Sequence, residues 1–240
     1  PSTPDNIDLI AGQTGQTQAA RHPNEKFKSM VTPGEPVVND DEPDFGPYAY
    51  TYQAKAPHQL DQTYATLMLS LSGRKAPEAK VDIDDVKDDI GELARLNHQA
   101  IPWAWYQEGF GNGQRNNHPA YIPHHNSPQY FGYIRQNPSM WSGVHDLLEF
   151  FSVMEKRQLP AQSVVFIKGG LANPFGWKPA NPRARTILGD DDHPGYSDSQ
   201  LSESLVAKVV NTVARSPYWK DSAIIVLWDD SEGFYDHVPP

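Results

Sequence analysis

Ser163-Val164-Val165-Phe166-Ile167-Lys168 is apolar almost from end to end, with no alternation of polar and apolar positions. A strand with one wet face alternates, so an unbroken apolar run of this length reads as a strand buried on both sides. Working outward, residues 144–156 have a helical pattern, and so do residues 201–213, where Leu201, Leu205, Val209 and Val213 share one face. Residues 222–228, Ser-Ala-Ile-Ile-Val-Leu-Trp, read as another strand, and residues 101–106 as an earlier one. Strands alternating with helices, and lacking a polar face, predict an α/β fold whose parallel strands are covered on both sides. Functional sites in such sheets lie beyond the carboxyl ends of the strands.

The remaining sequence is less regular. Ile83, Val86, Ile90, Leu93 and Leu96 are spaced as an amphipathic helix requires, and residues 66–71 read as a strand. Residues 18–59 are rich in Pro, Asp, Asn and Glu and read as long surface excursions, with a short strand at 48–52. Residues 4–12 fit a helix capped by Ser2 or Thr3, with Pro4 in the first turn and Gly12 near the stop. The 22 prolines are spread among loops and no internal repeat is present, so residues 1–240 read as one domain.

Composition narrows the function. Lys and Arg number 20 against 30 Asp and Glu, a net charge of -10 that opposes a polyanion and excludes a basic nucleic-acid footprint. An anionic substrate would need local compensation from a metal ion or from helix-terminal N–H groups. The absence of cysteine excludes disulfides, thiolate metal sites and cysteine nucleophiles. The longest apolar runs, at 223–228 and 164–167, are far too short to cross a bilayer, so no transmembrane helix is expected. The chain opens on Pro-Ser-Thr-Pro-Asp, without a starting methionine or signal-peptide pattern, and stops at Pro240 directly after a motif. The expectation is a larger domain that extends beyond both ends.

Four stretches could carry chemistry. In the first, the strand at 222–228 delivers Asp229 and Asp230 into a turn that continues Ser-Glu-Gly-Phe-Tyr-Asp236-His237-Val-Pro-Pro. Two adjacent carboxylates at the end of an apolar strand repel each other and are partly desolvated, and a divalent cation relieves both costs. A solvated acidic turn or a helix cap is the plain alternative. The second is Tyr121-Ile-Pro-His124-His125-Asn126, whose histidines could bind metal, hold a phosphoryl oxygen or donate a proton. The third is Gly189-Asp190-Asp191-Asp192-His193-Pro194-Gly195-Tyr196-Ser197, in which the carboxylates favour a protonated imidazole suited to a general acid or a phosphate clamp. The alternative there is a loop that only caps the next helix through Asp198 or Ser199. The fourth is Ser2-Thr3-Pro4-Asp5-Asn6, where a hydroxyl at a helix start is ordinarily a cap, but exposed N–H groups also favour an alkoxide and an incoming phosphate.

Together these pieces resemble the bacterial phosphoesterase family of acid phosphatase A and the non-haemolytic phospholipases C, within the alkaline phosphatase and sulfatase superfamily. Trp228-Asp229-Asp230 running into Gly-Phe-Tyr-Asp-His-Val-Pro-Pro is similar to the family's strand-end signature, and the likeness extends through His124-His125, Asp192-His193-Pro194 and Trp103-Ala-Trp-Tyr-Gln-Glu-Gly. The resemblance implies a three-layer αβα sandwich with a mostly parallel sheet. It implies Ser2 as nucleophile, a divalent metal held by Asp229, Asp230 and Ser2, and His124, His125 and His193 around the phosphate. The expected substrate is a phosphomonoester or phosphodiester. Asp5 and Asn6 depart from the family's Pro-Asn-Arg or Pro-Ser-Arg helix start. The family's Glu-Asn-Arg-Ser-Phe type motif would fall before Pro1, and its last strands after Pro240. Oxygen ligands leave calcium, magnesium, manganese, iron and zinc open. A periplasmic or secreted setting is likewise implied by the resemblance alone. A sulfatase is the rival enzyme, although Asn6 stands where its Arg is needed; a non-catalytic metal-binding or glycan-binding module is the rival from another class.

Overall fold

The computed structural model describes residues 17–18, 28–29, 66–72, 100–111, 120–122, 125–135, 137–173, 176–183, 189–193 and 197–228. The short strands β1 (Thr17–Gln18) and β2 (Lys28–Ser29) pair antiparallel. The sheet that organises the rest contains β3 (Trp103–Gln107), β4 (Val144–Asp146) and β5 (Val164–Lys168), all parallel, in the order β4-β3-β5. Its register sets Trp105 beside both Val144 and Phe166.

Side-chain alternation along these strands makes two cores, one on each face. Trp103, Trp105, Val144 and Phe166 point to one side, where they meet Met68, Leu69, Phe110, Tyr121, Phe131, Ile134 and Met140. That layer includes the short helices α1 (Leu67–Ser72), α2 (Gly132–Arg135) and α3 (Pro138–Trp141). Ala104, Tyr106, Val165 and Ile167 point to the other side, against α4 (Leu147–Glu155) and α5 (Ser199–Ala214). The sheet is therefore the middle layer of an α/β arrangement, as its unalternating strands predict. Each aliphatic or aromatic side chain it fully removes from water contributes about 1.5–3 kcal/mol.

Both long helices begin on a carboxylate cap. The Asp146 side chain accepts from Leu148 N at 2.8 Å, and Asp198 accepts from Gln200 N at 2.9 Å, so each satisfies one of the free N–H groups of a first turn. In α4, Leu147, Phe150 and Met154 recur on one buried stripe; in α5, Leu201 and Leu205 are buried, with Val209 and Val213 packed beside them. Pro217 follows closely after the end of α5, where its preceding residue is steered away from helical angles.

Three expectations require correction. Residues 66–71 do not form a strand: Leu67–Ser72 is helical, and Leu69 N bonds the Thr66 hydroxyl at 3.2 Å as at a helix start. Leu and Met are good helix formers, and a short apolar run does not by itself separate a buried helix from a strand. Residues 144–156 are not helical throughout, because Val144–Asp146 is first recruited as an edge strand beside β3. Residues 222–228 have no regular secondary structure, no ladder partner among the described residues, and an Ile225 that is 78% exposed. Apolar β-branched sequence provides the ability to pair, but the neighbour comes from tertiary context. The expected helices at 4–12 and 83–96 and the strand at 48–52 lie outside the described residues.

Candidate active site at the carboxyl ends of the strands

Because β3, β4 and β5 are parallel, their last residues share one edge: Gln107 then Glu108, Asp146, and Lys168 then Gly169-Gly170. Glu108 N donates to Lys168 O at 3.1 Å, extending the β3-β5 ladder by one bond and fixing the glutamate at the rim. Its side chain is completely buried, and apart from the Asp190 carboxyl no group among the described residues is set to bond either carboxyl oxygen.

The loop at 189–193 returns to this edge and is tied to it by main-chain bonds. Asp190 N donates to Gly170 O at 3.1 Å, and Gly170 N donates to Asp190 Oδ1 at 3.0 Å. Such an approach leaves no room for side chains on the glycines that make it. A Cβ on Gly189 would stand 2.3 Å from Gly170 O, and one on Gly170 would stand 2.5 Å from Ala120 O and 3.1 Å from Glu108 Oε2.

Glu108 and Asp190 thereby form a buried carboxyl pair. Burial pushes the Glu108 pKa upward, its hydrogen bond with Asp190 and the negative charges of Asp190, Asp146 and Asp191 add to the effect, and the result is about 11. Burial also raises Asp190, against the opposing pull of its bonds to Glu108 and to the Gly170 N–H. Two ionised carboxylates here could only repel. The contact becomes a hydrogen bond when one proton is held between them, the behaviour of a coupled acid pair.

The same loop meets two other sequence motifs. His125 is buried, with Nδ1 3.6 Å from Asp191 Oδ2. The turn that carries it is held by His125 N bonding Ile122 O at 3.2 Å and by Asn126 Nδ2 bonding the Tyr121 hydroxyl at 3.0 Å. Asp192 sits at φ +65°, a left-handed conformation that Asp tolerates better than most residues. Its N–H donates to Ser197 Oγ at 2.7 Å, and its Oδ2 accepts from Trp228 Nε1 at 3.1 Å. Trp228 is the residue directly before Asp229. His193 is half-buried, its carbonyl accepting from Ser197 N at 2.9 Å.

Of the residues singled out from sequence, the structure brings His125 and the His193 loop to one place, and it brings the chain leading to Asp229 to that loop. Ser2, His124, Asp229 and Asp230 themselves lie outside the described residues. Sequence reading gave no individual role to Glu108, Asp190 or Asp191. For Glu108 a signal existed, since it is a carboxylate directly following an apolar strand.

The family model described as Phosphoesterase family matches residues 1–240. The chain belongs to the phosphoesterase family. Similar proteins include three of Arabidopsis thaliana: non-specific phospholipase C1, 42% identical over 50 residues (21% of this chain, 9% of the relative), non-specific phospholipase C5, 40% identical over 50 residues (21% and 9%), and non-specific phospholipase C3, 36% identical over 61 residues (24% and 12%). The match thus spans about a tenth of these relatives' length. For this phosphoesterase-family chain the metal donors expected from resemblance, Ser2, Asp229 and Asp230, are all oxygen donors and fit a hard or borderline divalent ion. The described residues contain no group of three or more His, Cys, Asp or Glu that could hold a metal, and no helix among them is long and apolar enough to cross a membrane.

Proposed function

We propose that this chain hydrolyses phosphate esters, as an acid phosphatase or a phospholipase C does, with Ser2 as nucleophile and a phosphoserine intermediate. The observation that carries the reading is the meeting of distant motifs at the loop 189–193, which contacts the His125 ring and Trp228, the neighbour of Asp229. That meeting lies at the carboxyl edge of a parallel sheet, where α/β proteins place their ligands. The family match over the whole chain supports the same reaction class.

Ser2, Asp229 and Asp230 would hold the divalent ion, which when bound supplies positive charge beside the serine hydroxyl and the developing phosphoryl charge. Ser2 Oγ attacks phosphorus, and the bond to the ester oxygen breaks as the new O–P bond forms. The leaving alcohol takes a proton from one of His124, His125 and His193, while the remaining imidazoles donate hydrogen bonds to the phosphoryl oxygens. Water then attacks the phosphoserine, releasing inorganic phosphate or a phosphomonoester and restoring the hydroxyl. The negative net charge of -10 makes such local cationic groups necessary for an anionic substrate. By family resemblance the setting is periplasmic or secreted.

His125→Ala tests this arrangement at a residue whose position is described. Hydrolysis of p-nitrophenyl phosphate and of phosphatidylcholine vesicles is expected to fall by roughly 10²–10⁴-fold in kcat/KM, with the circular dichroism spectrum retained. Full activity in this variant would remove His125 from the site.

A further inference from the structure

Asp191 lies on the acidic loop but is not among the groups placed around the phosphate, yet it is held against one of them. Its carboxylate and the His125 ring are almost fully shielded, at 1% and 2% exposure, with Oδ2 3.6 Å from Nδ1. This separation is longer than a hydrogen bond and short enough for an ionic contact or for closure to one when ligand binds.

Both partners are fixed on either side. Before Asp191, Asp190 is bonded to Gly170 through its own N–H and its side chain; after it, Asp192 is bonded to Ser197 Oγ and to Trp228. On the histidine side, the backbone of His125 bonds Ile122, and Asn126 holds Tyr121 through its side chain and Gln129 N through its carbonyl. The pairing is therefore a property of two braced turns and not of two free side chains.

A neutral imidazole carries one N–H, and a facing carboxylate decides which nitrogen bears it. We propose that Asp191 is the positioning residue for His125: its carboxylate takes the Nδ1–H side of the ring, leaving Nε2 as the atom that exchanges a proton or a hydrogen bond with the phosphoryl group or leaving alcohol. Asp191 also offsets the positive charge when Nε2 takes up a proton. Here the carboxylate acts as the aspartate of a hydrolytic triad does, by fixing tautomer and orientation. The proposal rests on the reading of His125 as a phosphate-site histidine.

The test uses the whole chain labelled with ¹⁵N-histidine and nuclear magnetic resonance of the ring nitrogens, recorded above the imidazole titration. Wild type is expected to show His125 as the Nδ1–H tautomer. Asp191→Asn, nearly isosteric, is expected to convert it to the Nε2–H tautomer or a mixture and to lower kcat/KM for p-nitrophenyl phosphate by about 10–100-fold, with Asp191→Glu restoring part of both signals. A wild-type Nε2–H tautomer, or an Asp191→Asn chain unchanged in tautomer and rate, overturns the proposal. The underlying reading fails separately: if His125→Ala retains full activity while Asp191→Asn still switches the tautomer, the pairing stands and the phosphate-site role of His125 does not.

Discussion

Ser2→Ala is expected to lower kcat/KM for p-nitrophenyl phosphate by about 10³-fold or more, since removal of a nucleophile from a covalent mechanism leaves only binding and electrostatic stabilisation. The proposal rests on the sequence pattern. Pro4 suits the first turn of a helix, and the free N–H groups and positive end of such a helix would favour both an alkoxide at the preceding serine and an approaching phosphate. Thr3 is the control, because it offers a neighbouring hydroxyl in the wrong register: Thr3→Ala is expected to retain most activity. If Ser2→Ala turns over substrate at the wild-type rate while folded, the serine has been misassigned.

The second large effect concerns stability. Glu108 is buried beside Asp190, and its folded pKa, about 11, lies above the usual value near 4.3 of an unfolded chain. The folded state consequently holds a proton that the unfolded state gives up, so the stability linked to Glu108 is complete below about pH 4 and lost as pH rises towards the folded value. One such proton corresponds to about 1.4 kcal/mol per pH unit. Glu108→Gln keeps the shape, donates N–H to Asp190 and no longer needs the proton. Between pH 5 and 8 its stability to urea is expected to gain on wild type by roughly 1 kcal/mol per pH unit, or about 3 kcal/mol in all. Parallel wild-type and variant curves would mean that no proton is shared.

Local signals account for what the sequence discloses about this fold. β3 and β5 stand out because side chains pack against both of their faces, so neither shows an alternating polar face. The α5 helix is legible from Leu201, Leu205, Val209 and Val213 and from the cap at Asp198, a bond made only two residues away. β4 is three residues long and exists because β3 is beside it, so no pattern within it could separate it from the helix it leads into. The helix at Leu67–Ser72 was hidden for the opposite reason, being too short and too apolar to display a period.

The site divides in the same way. His125 and His193 are visible as residue types in rigid or acidic loops, but the Glu108–Asp190 pair and the Asp191–His125 contact join segments far apart in sequence. Only the folded chain shows that Gly169 and Gly170 let the acidic loop reach the end of β3. A row of three aspartates therefore looks uniform in sequence and is differentiated by the fold: Asp190 faces Glu108, Asp191 faces His125 and Asp192 accepts from Trp228.

Acid quenching during turnover of p-nitrophenyl phosphate, followed by peptide mass spectrometry, reads the covalent step directly. A phosphoryl group on the Ser2 hydroxyl, appearing within the first turnover and lost when substrate is exhausted, is the predicted result. Sustained release of phosphate with Ser2 unmodified at every quench time, or with the phosphoryl group on another residue, would contradict it.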